Sequence, residues 1–315
     1  MKKLMFALAA SAAFFTYADE AKTEAKDAAK SAPAELEETD DAPLFWGFGN
    51  YGLYSGYQLY GSLLNNEPTL QGYLEGNMNL SWDDLDLGYF GLGIWSNTDL
   101  TRRRSGSFGN CHADVVGEPG IGDVFNEWDF NAHWGRTFWF DDERTVGLAY
   151  RMSFVWYYYP GKYYQHSHPG TYTTFDWNHY VELTNPYLIP YVNCVHEYLQ
   201  SNGNLFQFGV KKPFQVTDKL SLCPYVEMVA RDGNYNWCFP TQFGAAETCG
   251  GLATLKVELD ATYQITEHFG LFAKVAYCSI IDHHLRNNCD DILASDDYGE
   301  NKDFVWGGVG VSFNF

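Results

Sequence analysis

Long apolar runs are almost missing from this chain. Outside Leu4 to Phe15, no stretch approaches the roughly 18 consecutive apolar residues of a membrane-crossing helix. Yet hydrophobic residues make up 46% of 315 positions, and the mean hydropathy is only −0.31. A helical membrane protein is therefore excluded. Basic residues are scarce too: 20 Lys and Arg stand against 40 Asp and Glu, for a net charge of −20. A surface this acidic excludes nucleic acid and disfavours anionic lipid as a partner. No CxxC, no Cys/His zinc spacing and no lipoprotein cysteine occurs. The glycine-rich stretches GYFGLG and GGVGV open no helix and have no phosphate-binding lysine downstream, which rules out a nucleotide loop.

Aromatics and alternation fill the space these absences leave. Tyr, Phe and Trp number 23, 23 and 10. The first 18 residues read as a secretory signal: Lys2 and Lys3, an apolar core from Leu4 to Phe15, and a small residue at Ala18. Residues 19–44 form an acidic, low-complexity periplasmic tail that lacks the apolar area to offset its ordering entropy. The leader carries +2 and the tail −6, so −16 of the total −20 remains on the rest of the chain.

From residue 45 onward, runs of about 10–14 residues alternate between apolar and polar, separated by turn residues. Residues 252–265 are the clearest case. Ala253, Leu255, Val257, Leu259, Ala261, Tyr263 and Ile265 share one face, and Thr254, Lys256, Glu258, Asp260 and Thr262 the other. A period of two over such a length exceeds an ordinary soluble strand and matches a tilted membrane strand. The pattern predicts twelve strands: 47–60, 68–81, 85–97, 126–139, 145–158, 173–183, 188–198, 204–214, 219–231, 252–265, 269–281 and 303–315. Short turns after every second strand alternate with mostly longer connections. The expected fold is an all-β, transmembrane, antiparallel up-and-down barrel over residues 45–315, its short turns periplasmic and its long loops outside. Trp46 and the run Trp156 to Tyr159 fit interface girdles. The closing residues, with Gly310, Phe313 and Phe315, fit a signal for the barrel-assembly machinery.

Directing the polar face inward gives lumen acids Glu75, Glu127, Asp129, Asp176, Glu182, Glu197, Glu227, Glu258 and Asp260. The lumen bases are Arg151, Lys211, Arg231, Lys256 and Lys274. Nine acids against five bases predict mild cation preference if the channel is open, whereas a salt-bridged interior would close it. Exported proteins permit disulfides. Cys238 and Cys249 share a loop and form the expected pair, Cys111 and Cys289 are a second option, and Cys194, Cys223 and Cys278 are small strand side chains.

The stretch YGLYSGYQLYGSLLNNEPTLQGYLEGNMNL, then GYFGLGIWSN, resembles the N-terminal signature of the TorF-like porin family through Ser55, Tyr57, Gly61, Pro68, Gln71, Gly93, Trp95, Ser96 and Asn97. EWDFNAHWGRTF and PYLIPYV with HEYLQSNGNLFQFGV extend the resemblance over most of residues 47–315. Tyr60 stands where that pattern has Arg. The resemblance implies a porin-like barrel and small-solute diffusion more than any one substrate.

Other chemistries compete. Lipid hydrolysis would need a Ser/His pair, with Ser153 and His133, His179 or His196 as candidates, but no spacing forces them to meet. His166, His168, His283 and His284, or Asp290, Asp291, Asp296 and Asp297, could hold a metal, but match no metal-loop pattern. A closed barrel serving as a surface-binding or structural protein is the further alternative. The expectation is a non-enzymatic porin without metal or cofactor. Its expected partners are outer-membrane lipid, the assembly machinery and small solutes, with a homo-oligomer left open.

Overall fold

The computed structural model describes residues 44–65, 68–82, 85–100, 126–158, 173–199, 202–235, 250–292 and 302–315. The leader and most of the acidic tail lie outside these residues. Twelve long antiparallel strands run in chain order: β1 Phe45–Tyr54, β2 Thr69–Trp82, β3 Leu85–Asp99, β4 Asn126–Trp139, β5 Gly147–Tyr158, β6 Thr173–Thr184, β7 Ile189–Glu197, β8 Gly203–Lys211, β9 Leu220–Arg231, β10 Gly251–Gln264, β11 Phe269–Ile280 and β12 Asp303–Asn314. Each pairs with its sequence neighbour. Antiparallel pairing of β1 with β12 closes the ring, from Phe48 opposite Asn314 to Tyr54 opposite Gly308. The expected twelve-stranded barrel is the observed one.

The alternation dictates which face each side chain takes. Leu74, Leu92, Phe130, Phe154, Phe175, Val192, Phe208, Met228, Leu271, Val275 and Val309 all stand exposed on the outer wall. Such a surface is stable only in hydrocarbon, where a closed sheet also leaves no backbone donor or acceptor unpaired. The barrel is thus of the outer-membrane type. Trp128, Phe130, Trp156 and Phe175 gather towards one rim, with Trp156 stacked on Phe175 at 6.2 Å. Trp46 is a correction. It points inward, where its Nε1 donates to Asn79 Oδ1 at 3.1 Å, because even-numbered residues of β1 face the lumen.

Turns at the periplasmic end are built from local hydrogen bonds. Asp141 accepts from the backbone N–H of Thr145 at 2.9 Å and of Val146 at 3.0 Å, and from the Thr145 hydroxyl. The Thr145 hydroxyl, then these amides, hold the Asp141 carboxyl below the usual aspartate range. Asn185 likewise accepts from Tyr187 and Leu188 amides at 3.0 and 3.1 Å.

Three departures from the expected strands share the opposite end. β1 stops at Tyr54 rather than residue 60, because its partner strand β2 begins at Thr69, opposite Tyr54. Beyond it a separate hairpin forms, Tyr57–Leu59 with Ser62–Asn65, paired only with itself. A register shift between Val229 and Ala230 places Ala253 in the buried interior rather than on the lipid face. The connection after β11 contains helix α1, His283–Ile292, whose first turn is capped by Asp282 Oδ1 on the Leu285 amide at 3.0 Å.

Candidate functional site

The lumen is the site the fold creates, and thirteen charged side chains fall on its wall. They do so because Glu75, Glu127, Asp129, Arg151, Asp176, Glu182, Lys211, Glu227, Arg231, Lys256, Glu258, Asp260 and Lys274 all share the inward phase of their ladders. Glu197, opposite Asp176, shares it too. What differs is how they are partnered, and that changes with depth.

In the periplasmic half the charges interlock. Lys256 Nζ lies 3.2 Å from Glu227 and 3.8 Å from Glu258. Lys274 Nζ lies 3.5 Å from Glu258 and 3.7 Å from Asp260. Lys211 Nζ reaches Glu182 at 2.6 Å. Tyr191 donates to Glu227 at 2.6 Å, and Tyr180 donates to Glu182. On the opposite wall Glu75 accepts from Asn77 Nδ2 at 3.0 Å and from the Tyr73 hydroxyl, beside His133 Nε2 at 3.3 Å and Arg151 at 3.8 Å. Glu75, Lys256 and Glu258 are nearly sealed from solvent, so each pairing offsets a desolvation cost that an isolated ion could not survive. Gly91 of β3 makes one junction geometrically feasible. A Cβ there would sit 2.1 Å from Asn77 Oδ1 and 2.2 Å from His133 Nε2, so its absence lets β2 and β4 side chains meet over β3.

Towards the extracellular mouth, apolar packing takes over. Tyr57 of the hairpin is buried with Tyr157, Val195, Leu205, Val229, Ala253 and Ile280, which come from β5, β7, β8, β9, β10 and β11, and Leu59 and Tyr60 pack against them. Tyr235 and Leu285, from two other extracellular connections, complete the cluster. Gly203 admits Tyr235: a Cβ would lie 2.3 Å from the Tyr235 amide nitrogen. Asp232 fixes that connection, accepting from Asn234 and Tyr235 amides at 2.9 Å each and from Asn204 at 2.7 and 2.8 Å. Burial pushes the Asp232 carboxyl up, but those donors outweigh it and leave it below its ordinary value. Asp176 accepts from Tyr157 at 2.8 Å, and Glu197 from the Thr174 hydroxyl and the Leu199 amide, the latter at 2.8 Å. Glu127, Asp176 and Glu197 are fully buried here. Five acids face four bases below this level, whereas four acids with Arg231 gather at it. The charge imbalance therefore sits at the mouth.

The competing chemistries find little support. His133 and Ser153 are cross-strand neighbours, but both ring nitrogens of His133 are engaged, Nδ1 by Asn131 at 3.0 Å and Nε2 by Asn77 at 2.9 Å. His179 bonds Tyr150 and His196 bonds Asn204, both on the outward phase. Among the described residues, no cluster of His, Cys, Asp and Glu could hold a metal. His166, His168, Asp296 and Asp297 lie outside them, as do Cys111, Cys238 and Cys249. Cys194, Cys223 and Cys278 are free thiols. At the seam, Phe313 and Phe315 lie across Gly49 and Gly47 of β1. The Gly310 α-carbon faces the Tyr51 carbonyl so closely that a Cβ would stand 2.3 Å from that oxygen. The hairpin is the feature sequence reasoning missed. Its one legible signal was Tyr60–Gly61, whose φ values of 52° and 75° make the turn of a tight hairpin.

No family model matches the chain, and no curated protein does. Among solved structures, the NanC porin aligns at a TM-score of 0.44 and 10% identity, over 84% of this chain and 98% of that one. The KdgM porin gives 0.42 and 9%, over 85% and 99%. Outer membrane phospholipase A from Escherichia coli gives 0.40 and 12%, over 86% and 93%. At these identities the likeness concerns the barrel fold alone.

Proposed function

We propose that this chain is an outer-membrane porin of the TorF-like kind, a non-enzymatic conduit for passive diffusion of small solutes with a mild preference for cations. The observation that carries the reading is the lumen wall: a closed barrel lined from β2 to β11 by hydrated-type side chains, in which acids outnumber bases. A structural plug or a purely lipid-facing scaffold has no need of such a ladder, since a packed apolar interior would be at least as stable. Export by the N-terminal leader and insertion by the assembly machinery, guided by Gly310, Phe313 and Phe315, belong to the same reading.

The preference arises at the mouth, where Glu127, Asp129, Asp176 and Glu197 gather in low dielectric and, of the inward bases among the described residues, Arg231 is the one beside them. The test is the reversal potential of the purified protein in a planar bilayer under a potassium chloride gradient. Cation selectivity is expected, and it should fall towards neutrality in a Glu127→Gln, Glu197→Gln variant. Anion selectivity would overturn the charge assignment.

A further inference from the structure

We infer that the hairpin Tyr57–Asn65 is an internal gate, seated in the extracellular mouth of the lumen in this structure and able to leave it without disturbing the barrel. The inference rests on the porin reading and deepens it, by naming the element that would control passage.

The connectivity comes first. The hairpin strands pair only with each other, through Tyr57 with Asn65, Gln58 with Leu63 and Leu59 with Ser62. Among the described residues no ladder bond joins them to the twelve-stranded wall. Displacing the hairpin therefore costs no barrel hydrogen bond, and a two-stranded hairpin holds its place only through what it packs against.

The seat is specific and small. Gly56 O, where the chain turns inward, accepts from Trp306 Nε1 at 2.7 Å and from Thr69 Oγ1 at 3.3 Å. At the far end Tyr60 O accepts from Thr254 Oγ1 at 2.7 Å. Tyr57 rests on Trp95 at 5.4 Å and Tyr60 meets Tyr235 edge-on at 6.1 Å. These contacts reach β2, β3, β10 and β12, and Tyr57 is buried with residues of β5, β7 and β8, so the hairpin bridges the bore rather than lining one side. With Tyr57 buried among six wall strands and Leu59 and Tyr60 packed against the same cluster, the hairpin occupies this level of the lumen.

The tip is also under tension. Tyr60 occupies the left-handed region at φ 52°, which a bulky side chain adopts at a cost that only surrounding contacts sustain. Within the hairpin the Gly61 amide donates to Gln58 Oε1 at 3.1 Å, so the turn can leave its seat as one piece. Below the hairpin the wall is polar and ion-paired, so the apolar seat stands between the outside and that ladder of charges.

Two variants test this in planar bilayers, with heat-modifiable migration in gels confirming that each barrel is folded. The first replaces Tyr57–Asn65 with a short Gly-Ser linker. The second, Thr254→Val with Trp306→Phe, keeps the hairpin and removes two bonds of its seat. The wild type is expected to dwell mostly closed. The deletion should raise mean current about tenfold and abolish closures. The loosened seat should raise the open-to-closed ratio about tenfold with an unchanged open step, as loss of two hydrogen bonds implies. Folded deletion and wild-type barrels carrying equal, large currents would overturn the gate and leave the porin reading standing. If neither passes ions, both ideas fall together.

Discussion

The two halves of this lumen solve the same problem with opposite chemistry. Near the periplasm, buried charges survive because each is paired: Lys256 between Glu227 and Glu258, Lys274 between Glu258 and Asp260. Near the outside, Leu205, Tyr235 and Ala253 are sealed completely by apolar contact with the hairpin and its neighbours. A paired wall keeps its shape when its centre is vacant, because its bonds run between strands of the wall itself, some adjacent and some across an intervening strand. An apolar plug exists only while its centre is occupied. The first suits a lining and the second a closure.

Substitutions can break that contrast. The largest effect is expected for Lys256→Met, which removes the cation shared by two buried carboxylates and should destabilise the barrel by about 3–5 kcal/mol. Thermal unfolding in detergent would measure it, and a neutral outcome would mean those acids are already uncharged. Next comes Leu205→Ala at the plug, at about 2–4 kcal/mol of lost burial and cavity formation. The two sites sit on β8 and β10 without a shared partner, so the double variant should be additive within about 0.5 kcal/mol. Strong coupling would show that plug and ladder form one unit. At the seam, Gly47→Ala should cost about 1–3 kcal/mol, because a Cβ there falls 2.4 Å from the Phe315 ring and 2.5 Å from the Glu75 carbonyl.

The smallest effect should come from a site outside both halves. The Asp141 carboxyl is held below its ordinary value by Thr145 and Val146, so its contribution is present above the usual aspartate pKa. That contribution disappears as pH falls through the lowered folded-state value. Asp141→Asn should therefore slightly lower the unfolding temperature at neutral pH and leave it unchanged in strong acid. An equal drop at both extremes would assign the effect to geometry rather than charge.

The lumen charges were legible because alternation is a local property. Once Leu255 and Val257 face lipid, Lys256 and Glu258 must face inward, whatever partners they meet. The same logic fixed strand number, closure and the inward placement of His133. It misplaced Trp46 because aromatic content near a strand end suggests a girdle, while only register says which phase the ring occupies. It carried β1 on to residue 60 because YGLYSGYQLY continues the alternation, even though the ladder has run out of partner at Tyr54.

Local sequence thus determined the barrel, since a period of two needs only the pleat of a strand to sort lipid from lumen. Tertiary structure decided what fills the bore. That depends on where a neighbouring strand happens to begin, and on residues such as Tyr60 and Thr254, 194 positions apart, meeting across the barrel. No local pattern records such a distance, because the energy lies in the meeting rather than in either residue.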